Sequence, residues 1–242
     1  MRRLDLSDNQ ALSGATIAFD LDGTLVDTAQ DLVGTLNYLL AEEGLRPLPL
    51  TVARPFIGKG AAWLIERGFT AAGAPQTAER LTELFERFLT HYRTHIADES
   101  RPFPGVVAAL ESLRDSGARL CVCTNKRTEL SVALLDALDL SRLFSAVTGP
   151  DRAPAAKPDP RHLLAAVADA GGVIERTVMV GDAATDAGAA RAAGAKLVLV
   201  SFGYTEVPAV ELGPDLLIDH FDELVAACQK LLDPCRATGG GL

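Results

Sequence analysis

Acidic side chains stand in pairs at two places where an apolar run of the sequence ends. Asp20 and Asp22 lie two residues apart after the run TIAF, and Asp182 and Asp186 lie four apart after TVMVG. Side chains two apart in an extended segment point the same way, and side chains four apart share one helix face. Close carboxylates repel unless a cation or a shared proton lies between them. Paired acids at the end of a strand therefore predict a metal site.

Other segments place groups suited to an anion at similar boundaries. Gly23 follows the first acid pair, and a glycine turn can present backbone N–H groups to an anion. Thr124 and Asn125 come just before a helix N-terminus, the ordinary place for holding phosphate oxygens. Lys157 precedes a proline that fixes its backbone at the start of the next element. Each residue alone would more often be a cap or a surface residue, but together they predict one phosphate site.

The segments that must position these groups alternate between short apolar runs and helix-length stretches. Continuous apolar runs are typical of parallel strands buried on both faces. The alternation predicts an α/β fold with a doubly wound parallel sheet, in which ligands bind beyond the carboxyl ends of the strands. We predict strands at 15–19, 119–123, 145–147, 177–180 and 197–200, and helices at 106–113, 127–137, 160–170 and 183–193.

About a hundred residues between the first two predicted strands have the pattern of helices throughout. One helix begins at Thr28 and runs to Glu43, a second spans 77–96, and a glycine-punctuated turn, FIGKG at 56–60, lies between them. We predict a helical cap domain at 32–99 that can close as a lid over a core of 14–31 and 100–233. We expect residues 1–13 and 234–242 to be flexible termini.

The composition excludes several classes of partner. The 242 residues include 23 basic and 32 acidic ones, a net charge of −9, with no basic cluster, which argues against nucleic acid or an anionic membrane. No segment reaches the roughly 18 apolar residues of a spanning helix, and no secretory signal is evident. We therefore expect a cytoplasmic protein with four reduced cysteines. The composition leaves a homodimer open.

The four segments resemble the motifs of the haloacid dehalogenase superfamily of phosphotransferases. DLDGT resembles the first motif, Thr124 the second, Lys157 the third and GDAATD the fourth, across nearly the whole chain. TNK, FIGKG, HYRTHIADESRPFPGV and ARAAGAKLVLVSFGY resemble bacterial phosphoglycolate phosphatases within that superfamily. The chain departs from the fourth motif at Ala183, where serine or threonine is common, and only a local hydrogen bond is affected.

The resemblance implies hydrolysis of a small phosphomonoester through an aspartyl-phosphate. Asp20 would be the nucleophile, and Asp22 would protonate the leaving alcohol and then deprotonate water. Lys157 would neutralise Asp20. Together with Thr124, Asn125 and the backbone at Gly23, it would also hold the transferring oxygens.

The resemblance also implies a Mg²⁺ cofactor. Asp20, Asp182 and the backbone carbonyl of Asp22 would be its ligands, with Asp186 in support. An acid at position 22 favours phosphate esters over dehalogenation.

The substrate is expected to be a small phosphorylated metabolite, with 2-phosphoglycolate favoured. Substrate choice would come from the cap, where Lys59 or Arg54 could bind a second anionic group such as a carboxylate.

Three alternatives stay open at the level of sequence. The first is a phosphatase of another small sugar phosphate or of pyrophosphate. The second is a β-phosphoglucomutase-like mutase, which would return the phosphoryl group to a sugar. The third is a non-catalytic receiver domain, which also combines acids, a threonine and a lysine on a doubly wound sheet. Such a domain needs neither the second acid, Asp22, nor a helical lid.

Overall fold

A six-stranded parallel sheet forms the centre of the computed structural model, which describes residues 11–233. The strands of this part of the chain are β1 (Thr16–Phe19), β2 (Val26–Asp27), β3 (Arg101–Pro102), β4 (Arg119–Cys123), β5 (Ala146–Thr148), β6 (Thr177–Gly181), β7 (Lys196–Val200) and β8 (Leu216–Ile218). The sheet order is β5-β4-β1-β6-β7-β8, so the chain builds one side outward from β1 and then the other. This reversal is the place where doubly wound folds bind ligands.

Helices cover both faces of the sheet, and the predicted α/β class is confirmed. Ile17 and Phe19 point into one buried apolar cluster and Ala18 into another, as the alternation of a strand buried on both faces requires. The helices of the described chain are α1 (Ala29–Glu42), α2 (Leu50–Ala53), α3 (Ala61–Ala71), α4 (Ala78–Thr94), α5 (Val106–Asp115), α6 (Thr128–Ala137), α7 (Pro160–Asp169), α8 (Ala184–Ala193) and α9 (Leu224–Leu232).

Helices α1–α4, here called the cap helices, pack around an apolar cluster of their own. Leu36 of α1, Phe69 of α3 and Phe88 of α4 are fully buried in it. Helix α3 approaches α1 closely at Gly68, where a Cβ would lie 2.6 Å from the Leu36 methyl groups. The domain boundaries at 32 and 99 stay a prediction.

The chain enters and leaves the cap helices through a short antiparallel ladder. Val26 pairs with Pro102 and Asp27 with Arg101, so β2 and β3 run side by side. Just beyond β2, the buried Asp31 carboxylate accepts hydrogen bonds from the Ser100 N–H at 2.8 Å and the Ser100 hydroxyl at 2.6 Å. The two segments that join the cap helices to the core are therefore bonded to each other.

Several sequence predictions fall at the edges of the described chain. Cys121, Cys123 and Cys228 are buried free thiols, while Cys235 lies outside the described residues. Residues 1–10 and 234–242, most of the termini expected to be flexible, also lie outside them. Among residues 11–233, no helix combines the length and apolarity needed to cross a membrane.

Candidate active site

Three buried carboxylates meet beyond the carboxyl ends of β1 and β6. Asp20, Asp182 and Asp186 each offer an oxygen, and these oxygens lie within 4.8 Å of one another. Burial raises the pKa of Asp20 to about 6 although Lys157 opposes the shift. Burial, followed by the charges of Asp186 and Asp20, raises the pKa of Asp182 to about 8. The cluster is short of positive charge, and carboxylate oxygens are the ligands that Mg²⁺ prefers, so the residues fit that ion.

Glycines allow these acids to approach so closely. A Cβ on Gly181 would lie 2.4 Å from the Asp186 carboxyl carbon, and a Cβ on Gly203 would lie 2.1 Å from the Asp182 Cβ. Asp186 also accepts hydrogen bonds from the N–H groups of Asp182 at 3.1 Å and Ala183 at 3.0 Å, at the start of α8. Its side chain is therefore fixed by the backbone that presents it.

Lys157 is the positive charge inside this acid cluster. Its Nζ lies 2.9 Å from Asp20 Oδ1 and 2.7 Å from Asp186 Oδ1, and its side chain is fully buried. Burial alone would lower the pKa of Lys157, but Asp186 and Asp20 raise it above its ordinary value. The structure thus brings together Asp20 and Lys157, as the sequence predicted, with the lysine in its charged form.

Asp22 faces a different partner from Asp20. Its carboxylate accepts hydrogen bonds from Lys126 Nζ at 2.9 and 3.0 Å and from the Thr28 hydroxyl at 2.8 Å. Lys126 also donates to the Tyr92 hydroxyl at 3.0 Å. Burial alone would lower the pKa of Lys126, but Asp22 and Tyr92 raise it above its ordinary value. The Asp22 side chain is thus held apart from the three clustered acids, and metal ligation through its backbone carbonyl stays a prediction.

Sequence reasoning did not single out Lys126 or Tyr92. Lys126 enters the sequence pattern only as the last letter of the TNK segment, and a lysine next to a helix start is usually solvated. Tyr92 reads as one of the apolar positions of α4. The sequence did contain one indication of Lys126, because this cation directly follows Thr124 and Asn125, which were already assigned to the site.

The candidate phosphate-binding residues differ in whether their hydrogen-bond donors are free. Thr124 is buried, and its hydroxyl oxygen accepts from the Lys126 N–H at 3.2 Å, so its proton stays available to an anion. The Gly23 N–H donates to the Val26 carbonyl at 2.9 Å and shapes the turn at a φ of +84°. A phosphate would have to compete with that bond. Phosphate binding by Gly23 stays a prediction.

Asn125 joins two parts of the molecule. Its amide nitrogen donates to the Gly58 carbonyl of the FIGKG turn at 3.1 Å and to the Lys157 carbonyl at 3.2 Å. Its amide oxygen accepts from the Lys157 N–H at 2.9 Å. The side chain therefore links the cap helices to the lysine that neutralises Asp20, while a role in phosphate binding stays a prediction.

A cavity of about 240 Å³ opens between the acid cluster and the cap helices. Asp20, Asp22 and Thr124 line it from the core, together with Lys126. The cap side is mostly apolar and includes Leu64, Phe85, Phe88 and Leu89. A reacting phosphate at Asp20 would thus lie at the floor of a small, largely apolar chamber.

The two cap cations expected to meet the substrate occupy different places. Lys59 lines the cavity at its rim, where its side chain is 42% exposed and its Nζ lies 3.4 Å from Glu206. Arg54 is not among the described residues that line the cavity. Its guanidinium donates to the Phe202 carbonyl at 3.1 Å and lies 4.7 Å from the Tyr204 ring centroid. Arg54 therefore joins the cap helices to the loop after β7.

The chain has extensive similarity to known proteins. Residues 17–200 match the haloacid dehalogenase-like hydrolase family. The chain belongs to that family. A phosphoglycolate phosphatase of Caulobacter vibrioides is 59% identical, with 96% of this chain and 98% of the relative covered. The corresponding enzyme of Agrobacterium fabrum is 46% identical, with 86% and 90% covered.

A solved structure supports the same family membership of this hydrolase. A protein of Haemophilus somnus, described as a predicted phosphoglycolate phosphatase, superposes with a TM-score of 0.82 and 29% identity, covering 89% of this chain and 98% of the other. The predicted superfamily and enzyme class, a phosphoric monoester hydrolase, are confirmed.

Proposed function

We propose that this hydrolase removes the phosphoryl group from a small phosphomonoester, with 2-phosphoglycolate as the favoured substrate, in a Mg²⁺-dependent reaction through an aspartyl-phosphate. The observation that carries the proposal is the buried acid cluster with Lys157 at 2.9 Å from Asp20, because Asp20 also lines the cavity beneath the cap helices. The names of the relatives from Caulobacter vibrioides and Agrobacterium fabrum support the choice of substrate.

Asp20 would act as the nucleophile. One carboxylate oxygen attacks phosphorus, the bond from phosphorus to the ester oxygen breaks, and the phosphoryl group is carried on Asp20. Lys157 lies beside Asp20 and neutralises part of the negative charge that meets there. Asp20, Asp182 and Asp186 would hold Mg²⁺, which when bound supplies further positive charge for the phosphate. The Thr124 hydroxyl can donate to a phosphate oxygen.

Asp22 would move the proton. In the first step its carboxylic acid donates a proton to the departing alkoxide oxygen, and in the second its carboxylate takes a proton from the water that attacks the phosphoryl group. Thr28 and Lys126 fix the position of this carboxylate. The cap helices limit the access of bulk water during the first step.

The test is phosphate release from a panel of esters, with and without Mg²⁺, by the wild type, Asp20→Asn and Asp139→Asn. Asp139 is a matched control because its side chain is 90% exposed. We expect Mg²⁺-dependent release by the wild type and the control, and a loss of at least about 10³-fold in Asp20→Asn because the nucleophile is removed. Full activity in Asp20→Asn would contradict the assignment.

The same panel separates the alternatives. A mutase would convert one sugar phosphate into an isomer without releasing phosphate, and a receiver domain would accumulate a long-lived phosphate on Asp20. The largely apolar cap side of the cavity offers few partners for the hydroxyl groups of a sugar, which argues against a sugar phosphate. The partner supported by this site is a small metabolite rather than nucleic acid or membrane. A cytoplasmic location and a homodimer stay predictions.

A further inference from the structure

Lys126 is a buried cation to which the proposed steps give no role beyond positioning Asp22. Its side chain is 5% exposed, and it lies where the core meets the cap helices. Its ammonium contacts the Asp22 carboxylate and the Tyr92 hydroxyl, and it lies 4.7 Å from the centroid of the Tyr92 ring. Burying a lysine is costly, and holding Asp22 in place does not require a group that also faces the cavity.

The surroundings of Lys126 favour an anion in the cavity. The wall opposite Asp22 is formed by apolar side chains such as Leu64 and Phe88. A polar ligand group would lose its water there without finding a partner, except next to Lys126 and Tyr92. A carboxylate beside the ammonium would be attracted to its charge in surroundings that screen little, and its charge-assisted hydrogen bond would replace one of the three contacts that Lys126 Nζ makes with the two Asp22 oxygens and the Tyr92 hydroxyl.

The other cations that line the cavity are less suited to this contact. Lys59 is 42% exposed, lies 3.4 Å from the Glu206 carboxylate and stacks 4.8 Å from the Trp63 ring centroid. Arg127 is also exposed to solvent. Water and salt screen the attraction of both to an anion, whereas Lys126 is shielded from them.

We propose that Lys126 selects the substrate by binding the carboxylate of a phosphorylated hydroxy acid whose phosphate lies at Asp20. This rests on the proposed function of the site. In 2-phosphoglycolate only a methylene separates the ester oxygen from the carboxylate carbon. An ester oxygen next to Asp22 therefore brings the carboxylate to the ammonium, which lies 2.9 Å from Asp22 Oδ1. Tyr92 orients the ammonium from the cap side.

The experiment compares kcat/KM for 2-phosphoglycolate and for ethyl phosphate, which carries a methyl group in place of the carboxylate. We expect Lys126→Met to reduce the preference for the acid by about 10- to 100-fold, because a charge-assisted hydrogen bond is lost. Lys126→Arg should keep most of the preference because it keeps the charge. Lys196→Met, at an exposed lysine where β7 begins, is the matched control and should keep all of it.

Three results would overturn the inference while hydrolysis stands. One is an equal loss for both esters in Lys126→Met, which would limit Lys126 to holding Asp22. Another is a loss of preference in Lys59→Met with none in Lys126→Met. The third concerns the wild type alone and applies even if Lys126→Met does not fold by circular dichroism: equal rates on 2-phosphoglycolate and its uncharged amide. Absence of phosphate release from every ester would instead contradict the proposed function itself, and this inference with it.

Discussion

At the scale of single residues, His162 shows how the site depends on groups behind it. Its ring is fully buried, Nδ1 accepts a hydrogen bond from the Lys157 N–H at 3.1 Å, and Nε2 lies 3.1 Å from the Thr148 carbonyl. Only a neutral ring with its proton on Nε2 satisfies both contacts. Burial, followed by the charge of Lys157, lowers the pKa of His162 to about 4.

This lowered pKa predicts acid sensitivity. The unfolded chain takes up a proton near pH 6.5 and the folded one only near pH 4, so the stabilising contribution of His162 is present above pH 6.5 and is lost as the pH falls toward 4. The loss is up to about 3 kcal/mol. Urea unfolding across this range should show a shallower pH dependence in His162→Gln than in the wild type. His220→Gln, at an exposed histidine, should keep the wild-type slope, and equal slopes in all three proteins would contradict the assignment.

The residues predicted from the sequence are those whose role depends on a strand end. Asp20 follows β1 and Asp182 follows β6, and the carboxyl ends of adjacent parallel strands meet at one edge. Lys126 could not be found in this way, because whether a side chain after β4 turns inward depends on the cap helices that cover it. Arg54 was expected at the substrate for its charge, whereas its guanidinium donates to the Phe202 carbonyl in the loop after β7.

At the scale of elements, the contact between α1 and α3 sets a limit on side-chain size. Gly68 is a helix-interior glycine against which the fully buried Leu36 packs. At Gly34, in the interior of α1, no neighbouring part of the described chain comes within 4 Å of the position that a Cβ would take. The same substitution should therefore have opposite effects at these two positions.

We expect Gly68→Ala to destabilise the protein by about 1–2 kcal/mol. Overpacking against Leu36 outweighs the gain in helix propensity of about 1 kcal/mol. Gly34→Ala should stabilise it by about 0.5–1 kcal/mol, because the exposed position offers the gain alone. Denaturant unfolding measures both values, and a stabilised Gly68→Ala would show that Leu36 can move aside.

Within the cap, α2 and α3 were not placed individually in a segment predicted only as helical, and the core elements that escaped prediction are short or follow the edge of the sheet. β2 and β3 have two residues each, too few for any alternation to be read, and β3 includes a proline. β8 has three residues at the edge of the sheet, and α9 follows it near the end of the described chain. The long internal strands of the core were placed within a few residues, because their apolar pattern is dictated by burial on two faces.

At the scale of the whole molecule, contacts with the core hold the cap helices and the turn at 56–60 over the cavity. Asn125 provides such a contact, since its amide bonds both the Gly58 carbonyl and the backbone of Lys157. Asn37 makes a similar pair of amide–backbone bonds to Leu48, which lies in the connection between α1 and α2, so neither bond reaches the core. Substituting each asparagine in turn therefore distinguishes the contact of the cap with the core from the stability of the cap itself.

We expect Asn125→Ala to increase the opening of the turn at 56–60. Hydrogen exchange of that turn should be faster by about tenfold, because hydrogen bonds worth roughly 1 kcal/mol each are removed, and KM should rise. In Asn37→Ala the exchange of residues 56–60 should stay within threefold of the wild type, a margin of roughly 0.6 kcal/mol. Unchanged exchange in Asn125→Ala would mean that other contacts hold the turn over the cavity.

The ladder of Val26–Asp27 with Arg101–Pro102 places the two ends of the helical segment beside each other. A contiguous stretch with adjacent ends can be lengthened, shortened or exchanged during evolution without moving the strands that it interrupts. The clustered acids and Lys157 are encoded outside that stretch. Such an exchange would therefore alter the cap side of the cavity and leave the reacting groups in place. Lys126 is also encoded outside it. If Lys126 binds the substrate carboxylate as proposed, a descendant with a new cap would inherit the preference for acids until that lysine changed as well.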